Sequence, residues 1–378
     1  MSRRQLLVHI CIDLEPAKKE FGGLGEDSRE ASYWGFAEVL FPFITRVRQG
    51  FEAEVKRALR FSWFPRADLR VGEIYGRPTW AFETFRNQLE QLAAAGDEIG
   101  LHMHNWRWHS RRQAWYEEVK DTAWLEECFA TGLRAFREAK GSNPFSYHAG
   151  FDYMDNLLVR LLEEAGVKLA VAPMPGLRFR GQTVEGGGRA YFFDWRRAPH
   201  QPYFPSRRDY QRPGPDAADV LLVPNTIVRQ SWKSYLFHLS PFRNPQRLPQ
   251  RWRTEEVYAY PDHTQPACGS WRLGRTQLYR PKLARSHYHV PPFVEPFLVR
   301  KGIETALAHC PGWQRVPLTT AFRNDELLAE EAQRSFERNL RFLVEEGERR
   351  DLEVRFVTSR ELYHALREEW AGRPPVAA

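Results

Sequence analysis

Three times along this chain, a helical stripe of apolar residues gives way to a short apolar strand, and that order constrains the fold more than any other feature. From Pro78 to Ala95 the stripe is Phe82, Phe85, Leu89 and Leu92; Gly96 suits the stop, and the strand "EIGLHMH" follows. Asp155 is placed to cap a helix carrying Leu158, Leu161, Leu162 and Ala165, which ends at Gly166 before "VKLAVA". Phe336, Leu340 and Leu343 precede "VRFVT", after which Thr358 and Glu361 have the spacing of a capping box for a last helix. A near-continuous apolar run at the start, "LLVHICI" (6–12), reads as a strand buried on both faces. Such units predict parallel strands covered by helices, closed or nearly closed into a barrel.

The 378 residues are long for one ordinary domain but suit a single large α/β domain with insertions. A hydrophobic share of 42% supplies a sizeable core, so the chain is globular rather than disordered. The stretch from 177 to 300 departs from the pattern: 15 of the 26 prolines fall between Pro199 and Pro296, among many arginines and aromatics. It reads as an insertion or a set of long loops within one domain spanning 1–378, with strand near "DVLLVPNTIV".

The net charge of +7 comes from basic residues interleaved with acidic ones, with no basic block and no zinc-finger or RNA-binding signature. That balance describes a solvated surface rather than a nucleic-acid partner. Cys11, Cys128, Cys268 and Cys310 are widely spaced, without a disulfide framework, and are expected to be reduced and packed. The short apolar run before Asp13 is no signal-peptide core, and nothing later approaches a membrane span; the expected location is cytoplasmic.

The chemistry gathers at two strand ends. Residues two apart on a strand share a face, so His102 and His104 project together, as do Asp13 and Glu15 in "IDLEP". In parallel α/β barrels such groups collect at the carboxyl ends of strands. Two imidazoles and a carboxylate with an open position would suit a divalent metal, leaving the second carboxylate to take a proton. Taken alone, a His-x-His pair is more often a hydrogen-bonded core pair than a ligand set. No Gly-rich phosphate loop and no GxSxG elbow are present.

With these residues in hand, the chain resembles the polysaccharide deacetylase (NodB-homology) family. "GDEIGLHMH" resembles its second motif, "ICIDLEP" its first, and "SYHAGFDYMDNLLVRLLEEAGVKLAVAPMPG" its third with the following helix and strand. "DWRRAPHQPY" is similar to its fourth region and "LRFLVEEGERRDLEVRFVTSREL" to its closing helix–strand–helix. The resemblance implies a distorted (β/α) barrel and a metal-dependent, zinc-type deacylation of an N-acyl amino sugar or related glycan. It implies Asp13 as the water-activating acid, and Glu15, His102 and His104 as metal ligands. His104 stands in because Trp106 occupies the usual place of the second histidine, with His109 a weaker substitute.

His148 stands where the family has an arginine, and Arg323 and Asn324 where it has a leaving-group histidine. His148 is therefore the candidate for the missing proton donor, ahead of His287 and His289. Trp106, Asp194, Trp195 and Tyr203 are the expected substrate contacts, with Tyr210 a further aromatic nearby. Two other readings keep the fold: a glycan-binding protein without turnover, and a metal-dependent amidase acting on a non-sugar amide.

Overall fold

The computed structural model describes residues 3–16, 29, 31–111, 114–182, 189–229, 269–273, 276–280, 287–289 and 296–371. It is a mixed α/β structure built on parallel strands. Strand β1 (Gln5–Leu14) is the spine, with Leu6, Leu7, Val8, Ile10, Cys11 and Ile12 all fully buried. Apolar side chains therefore cover both faces, which is why the run reads as unbroken rather than alternating. Each such side chain contributes roughly 1.5–3 kcal/mol by leaving water.

Seven further strands follow: β2 (Ser62–Pro65), β3 (Glu98–Ile99), β4 (Leu101–Met103), β5 (Trp106–His109), β6 (Ala114–Glu117), β7 (Ser146–Ala149) and β8 (Leu169–Val171). The 177–300 stretch supplies β9 (Arg178–Gln182), β10 (Arg189–Asp194), β11 (Pro205–Ser206), β12 (Asp209–Pro213), β13 (Leu221–Val223), β14 (Ile227–Arg229), β15 (Gly269–Leu273), β16 (Thr276–Arg280) and β17 (His287–His289). The last two are β18 (Arg315–Arg323) and β19 (Glu353–Val357). The helices are α1 (Phe41–Val55), α2 (Leu69–Tyr75), α3 (Trp80–Thr84), α4 (Arg86–Ala94), α5 (Thr122–Lys140), α6 (Asn156–Glu164), α7 (Pro296–His309), α8 (Glu330–Arg349) and α9 (Ser359–Ala371).

The parallel strands form two sheets rather than one continuous ladder. In the first, β1 pairs along one edge with β18; its other edge is shared by β19 near the start and β2 near the end, and β2 pairs on to β3. The second has the order β13-β8-β7-β4. A parallel bridge between Arg66 and His102 joins the sheets on one side. On the other, the Thr226 amide donates to the Thr319 carbonyl at 2.8 Å, and the Thr319 amide to the Thr226 hydroxyl at 3.1 Å.

The expected strand "EIGLHMH" is thus divided at Gly100, where the chain passes from one sheet to the other. A Cβ there would lie 2.5 Å from the Phe64 ring and 2.7 Å from the Ser146 hydroxyl, so only glycine fits the crossing. The helix expected over 78–95 is likewise two, α3 and α4, broken at Phe85 (φ −107°), whose ring packs against Trp34, Phe36 and Trp80. The predicted caps are in place: Asp155 accepts from the Leu158 amide at 2.7 Å, and Thr358 and Glu361 exchange reciprocal bonds at 2.9 and 3.2 Å.

Cys11, Cys128 and Cys310 are buried thiols with no disulfide among the described residues, and Cys268 lies outside them. Within 177–300, β9–β10, β11–β12 and β15–β16 pair antiparallel, and residues 230–268 are not among those described. No helix among the described residues is long and apolar enough to cross a membrane.

Candidate metal centre

The strand topology brings together side chains far apart in sequence, all at carboxyl ends: Asp13 on β1, Arg66 just past β2, His102 on β4, His148 on β7 and Arg323 on β18. Register alone sets His102 opposite His148 and Asp13 opposite Arg323. Asp13, Glu15, His102, His104 and His148 are all buried. Two triplets have ligand atoms close enough to share an ion, Asp13–His102–His148 and Glu15–His102–His104.

Hydrogen bonding separates the two. His102 Nδ1 lies 3.0 Å from the His148 carbonyl oxygen, which can only accept, so this nitrogen carries the hydrogen. Its Nε2 is left with a lone pair, is buried, and has no hydrogen-bond partner. That atom is 3.9 Å from Glu15 Oε2, and His104 Nε2, also buried without a hydrogen-bond partner, is 3.5 Å from the same oxygen. Two imidazole nitrogens thus converge on one carboxylate oxygen, as three metal ligands would. The rings stand edge to face with centroids 4.9 Å apart. Gly150 makes room for this: a Cβ there would lie 2.5 Å from the His104 ring.

The other carboxylate is already engaged. His148 Nδ1 and Asp13 Oδ1 are 2.5 Å apart, a short charge-assisted bond, whereas His102 Nδ1 is 3.6 Å from Asp13. Asp13 and His148 therefore form a dyad beside the triplet rather than part of it, and His148 Nε2 is buried without a hydrogen-bond partner. Burial opposes charge on His148, but Asp13 outweighs it and holds the pKa above the usual imidazole range. His102, with weaker help from the carboxylates, is pushed down to about 4 by burial and stays neutral, the form a ligand needs.

Surrounding groups fix this arrangement. Despite its burial, Glu15 is held well below the usual carboxylate range, chiefly by Arg323, whose Nη1 is 2.8 Å from Oε1. Arg323 also donates to the Pro16 carbonyl at 2.7 Å, and Asn324 accepts from the Glu15 amide at 3.0 Å. These two residues, which stand where a leaving-group histidine was expected, instead clamp Glu15. Arg66 lies 3.4 Å from Glu15 and donates to Asp68 at 2.6 Å. Asp68 in turn accepts from the His104 amide at 3.1 Å and caps α2 through the Val71 amide at 2.9 Å.

Beside His104, Phe151 meets its ring edge-on at 4.9 Å and Trp106 stacks at 5.9 Å. Phe151 and Asp152 both adopt left-handed backbone, φ 50° and 52°, a strain of about 1–3 kcal/mol each that concentrates at functional sites. Burial and the nearby Asp13 push the Asp152 carboxyl up to about 7, with His148 pulling the other way.

Of the expected substrate contacts, Trp106 borders the cluster, but its ring is buried between His104 and the Arg70 guanidinium. Trp195 and Tyr203 are packed inside the fold. Trp195 is fully buried and its indole donates to the Asp152 carbonyl; Tyr203 is 4% exposed and its hydroxyl donates to the Tyr210 carbonyl. Both pack as wall, because a buried indole or phenol needs such a partner and these found one in the chain. Asp194 forms a forked ion pair with Arg196, two residues on, and braces its own loop. Tyr210 packs edge-on against Trp195.

His109 sits on the β5–β6 hairpin against Tyr116, and His287 and His289 belong to β17, paired with β14. Sequence reasoning missed Arg66, Asp68, Asp152 and Glu117. For Asp68 the signal was an aspartate before "LRV", a helix start. For Glu117 it was the alternation of "WRWH" and "AWYE", which pairs Trp106 with Glu117 across a hairpin.

No family model and no curated protein matches the chain. Among solved structures, one classed as a glycoside hydrolase/deacetylase from Parabacteroides distasonis aligns over 97% of this chain and 72% of its own, with 13% identity and a TM-score of 0.50. One classed as a polysaccharide deacetylase from Mycobacterium smegmatis aligns over 100% and 96%, with 14% identity and a TM-score of 0.44. The Puue allantoinase aligns over 99% and 93%, with 11% identity and a TM-score of 0.48. The first of these likenesses shows a shared fold, the mixed α/β fold of the glycoside hydrolase/deacetylase structure.

Proposed function

We propose that this chain is a metal-dependent hydrolase that removes the acyl group from an N-acyl, typically N-acetyl, amino sugar or a related glycan precursor. The observation that carries the reading is the pair of buried imidazole nitrogens, His102 Nε2 and His104 Nε2, without hydrogen-bond partners and facing Glu15 Oε2. Leaving two such atoms buried and unpaired costs about 1–3 kcal/mol each, so a ligand that both can bind accounts for them. Two nitrogens and one oxygen suit zinc, held by Glu15, His102 and His104. A divalent ion there would act as a Lewis acid, polarising an acyl carbonyl and easing deprotonation of water.

The rest falls to the chain. The Asp13–His148 pair, with its 2.5 Å bond, can accept a proton from water and return one to the departing amine. His148 Nε2 is the atom positioned to carry it, and Asp13 fixes the tautomer and steadies the imidazolium. Arg323 and Arg66 keep Glu15 ionised and oriented. Burial of the cluster lowers the local dielectric and so strengthens each of these interactions. The sugar as substrate is supported by the shared fold and by the motif order in the sequence.

The test is turnover by the zinc-loaded protein on acylated amino sugars and, in parallel, on cyclic non-sugar amides. Release of acetate from the sugars is the expected result. Hydrolysis of the non-sugar amides alone would keep the site and change the substrate. No hydrolysis of either class by metal-loaded protein would contradict a hydrolase.

A further inference from the structure

Glu117 lies on the β5–β6 hairpin, an element with no ligand of its own. Its side chain is fully buried, and one oxygen accepts from the Asn105 amide at 2.9 Å. The other, Oε2, has no hydrogen-bond partner and is 3.6 Å from His104 Nδ1. Burying a carboxylate is costly unless something polar answers it, and among the described residues a cationic side chain that comes within 4 Å of this one is His104.

We propose that Glu117 is the positioning residue for His104. Its carboxylate accepts from Nδ1–H, selecting the tautomer whose Nε2 carries the lone pair directed at Glu15. The inference rests on the metal-site reading above and deepens it. His102 and His104 would reach the same end by different means: a backbone carbonyl at 3.0 Å fixes Nδ1–H of the first, and a side-chain carboxylate 3.6 Å away would fix that of the second. Such outer partners raise ligand basicity and lock ring orientation.

The geometry also explains how His104 serves although it lies only two residues from His102. Its backbone is held by Asp68, its ring is packed between Phe151 and Trp106, and its far nitrogen faces Glu117. The hairpin register that sets Trp106 opposite Glu117 delivers both groups at once.

Glu117→Gln is the discriminating variant. An amide keeps an oxygen for the Asn105 amide but presents N–H to His104 Nδ1, which favours the opposite tautomer and turns a hydrogen toward the metal position. Zinc affinity is measured by chelator competition on wild type and Glu117→Gln, alongside the cobalt(II) absorption spectrum of each and the Tm of the metal-free proteins. The expected result is roughly 10- to 100-fold weaker zinc binding with an altered cobalt spectrum. A merely structural role would lower the metal-free Tm and leave the affinity and spectrum of the folded protein unchanged. If wild type binds zinc and Glu117→Gln binds it equally with the same spectrum, the positioning role is overturned while the metal site stands. If wild type itself binds no metal, both fall together.

Discussion

His102 and His148 occupy facing positions on neighbouring parallel strands, yet their surroundings drive them to opposite states. Burial leaves His102 neutral with a pKa of about 4, while Asp13, 2.5 Å from His148, raises the other. On the proposed reading, that difference suits His102 to ligation and His148 to proton movement, while His104, held up to about 9 by Glu117 and Glu15 against burial, would give up its proton on binding an ion. Replacing His148 by Gln should leave zinc content unchanged and lower turnover by about 10²–10⁴-fold. Equal turnover in the variant would remove His148 from the reaction, and loss of zinc would place it among the ligands instead. At this scale the sequence was partly legible. The spacing of Asp13 and Glu15, and of His102 and His104, was enough to expect one polar cluster, because period-two spacing is local. Glu117, Arg66 and the clamp by Arg323 were not legible, because they depend on which distant strands and hairpins meet.

Strand β1 shows how one element carries both site and stability. Four residues before Asp13, the fully buried His9 bonds through Nε2 to the hydroxyls of Ser359 (2.9 Å) and Ser62 (3.3 Å), linking β1, β2 and the start of α9. Burial, with His148 adding repulsion, lowers its pKa to about 3, against the ordinary 6.5. Below pH 6.5 the unfolded chain gains a proton on this histidine that the folded chain refuses, so its contribution to stability is complete above pH 6.5 and falls as pH drops toward 3. Between pH 7 and pH 5 the loss amounts to about 2 kcal/mol. Denaturant unfolding of His9→Asn should show a drop over that interval smaller by about this amount; identical pH slopes in the two proteins would refute the assignment. The elements themselves were legible where a local signal existed, as with the caps at Asp155 and Thr358–Glu361. They were misread where packing decided: Gly100 divides a strand because two sheets meet there, and Phe85 breaks a helix because its ring belongs in an aromatic cluster.

Across the whole molecule, parallel strands from opposite ends of the chain bring β1 and β18 into register and so set Glu15 against Arg323. The repeated helix–strand unit made a parallel α/β fold readable. The split into two sheets, joined by the Arg66–His102 bridge and by Thr226–Thr319, was not, because it turns on a few long-range hydrogen bonds. The packing of the expected aromatic contacts was not legible for a related reason: composition shows that Trp195 and Tyr203 exist, but not that Asp152 and Tyr210 will satisfy their polar ends. The account stands or falls on Glu15, His102 and His104 holding an ion. The direct measurement is metal content by mass spectrometry on protein purified without an affinity tag, wild type beside His102→Ala. The account predicts about one zinc or similar ion per chain in wild type and none in the variant. No metal in wild type, before or after zinc is added and the excess removed, would contradict it.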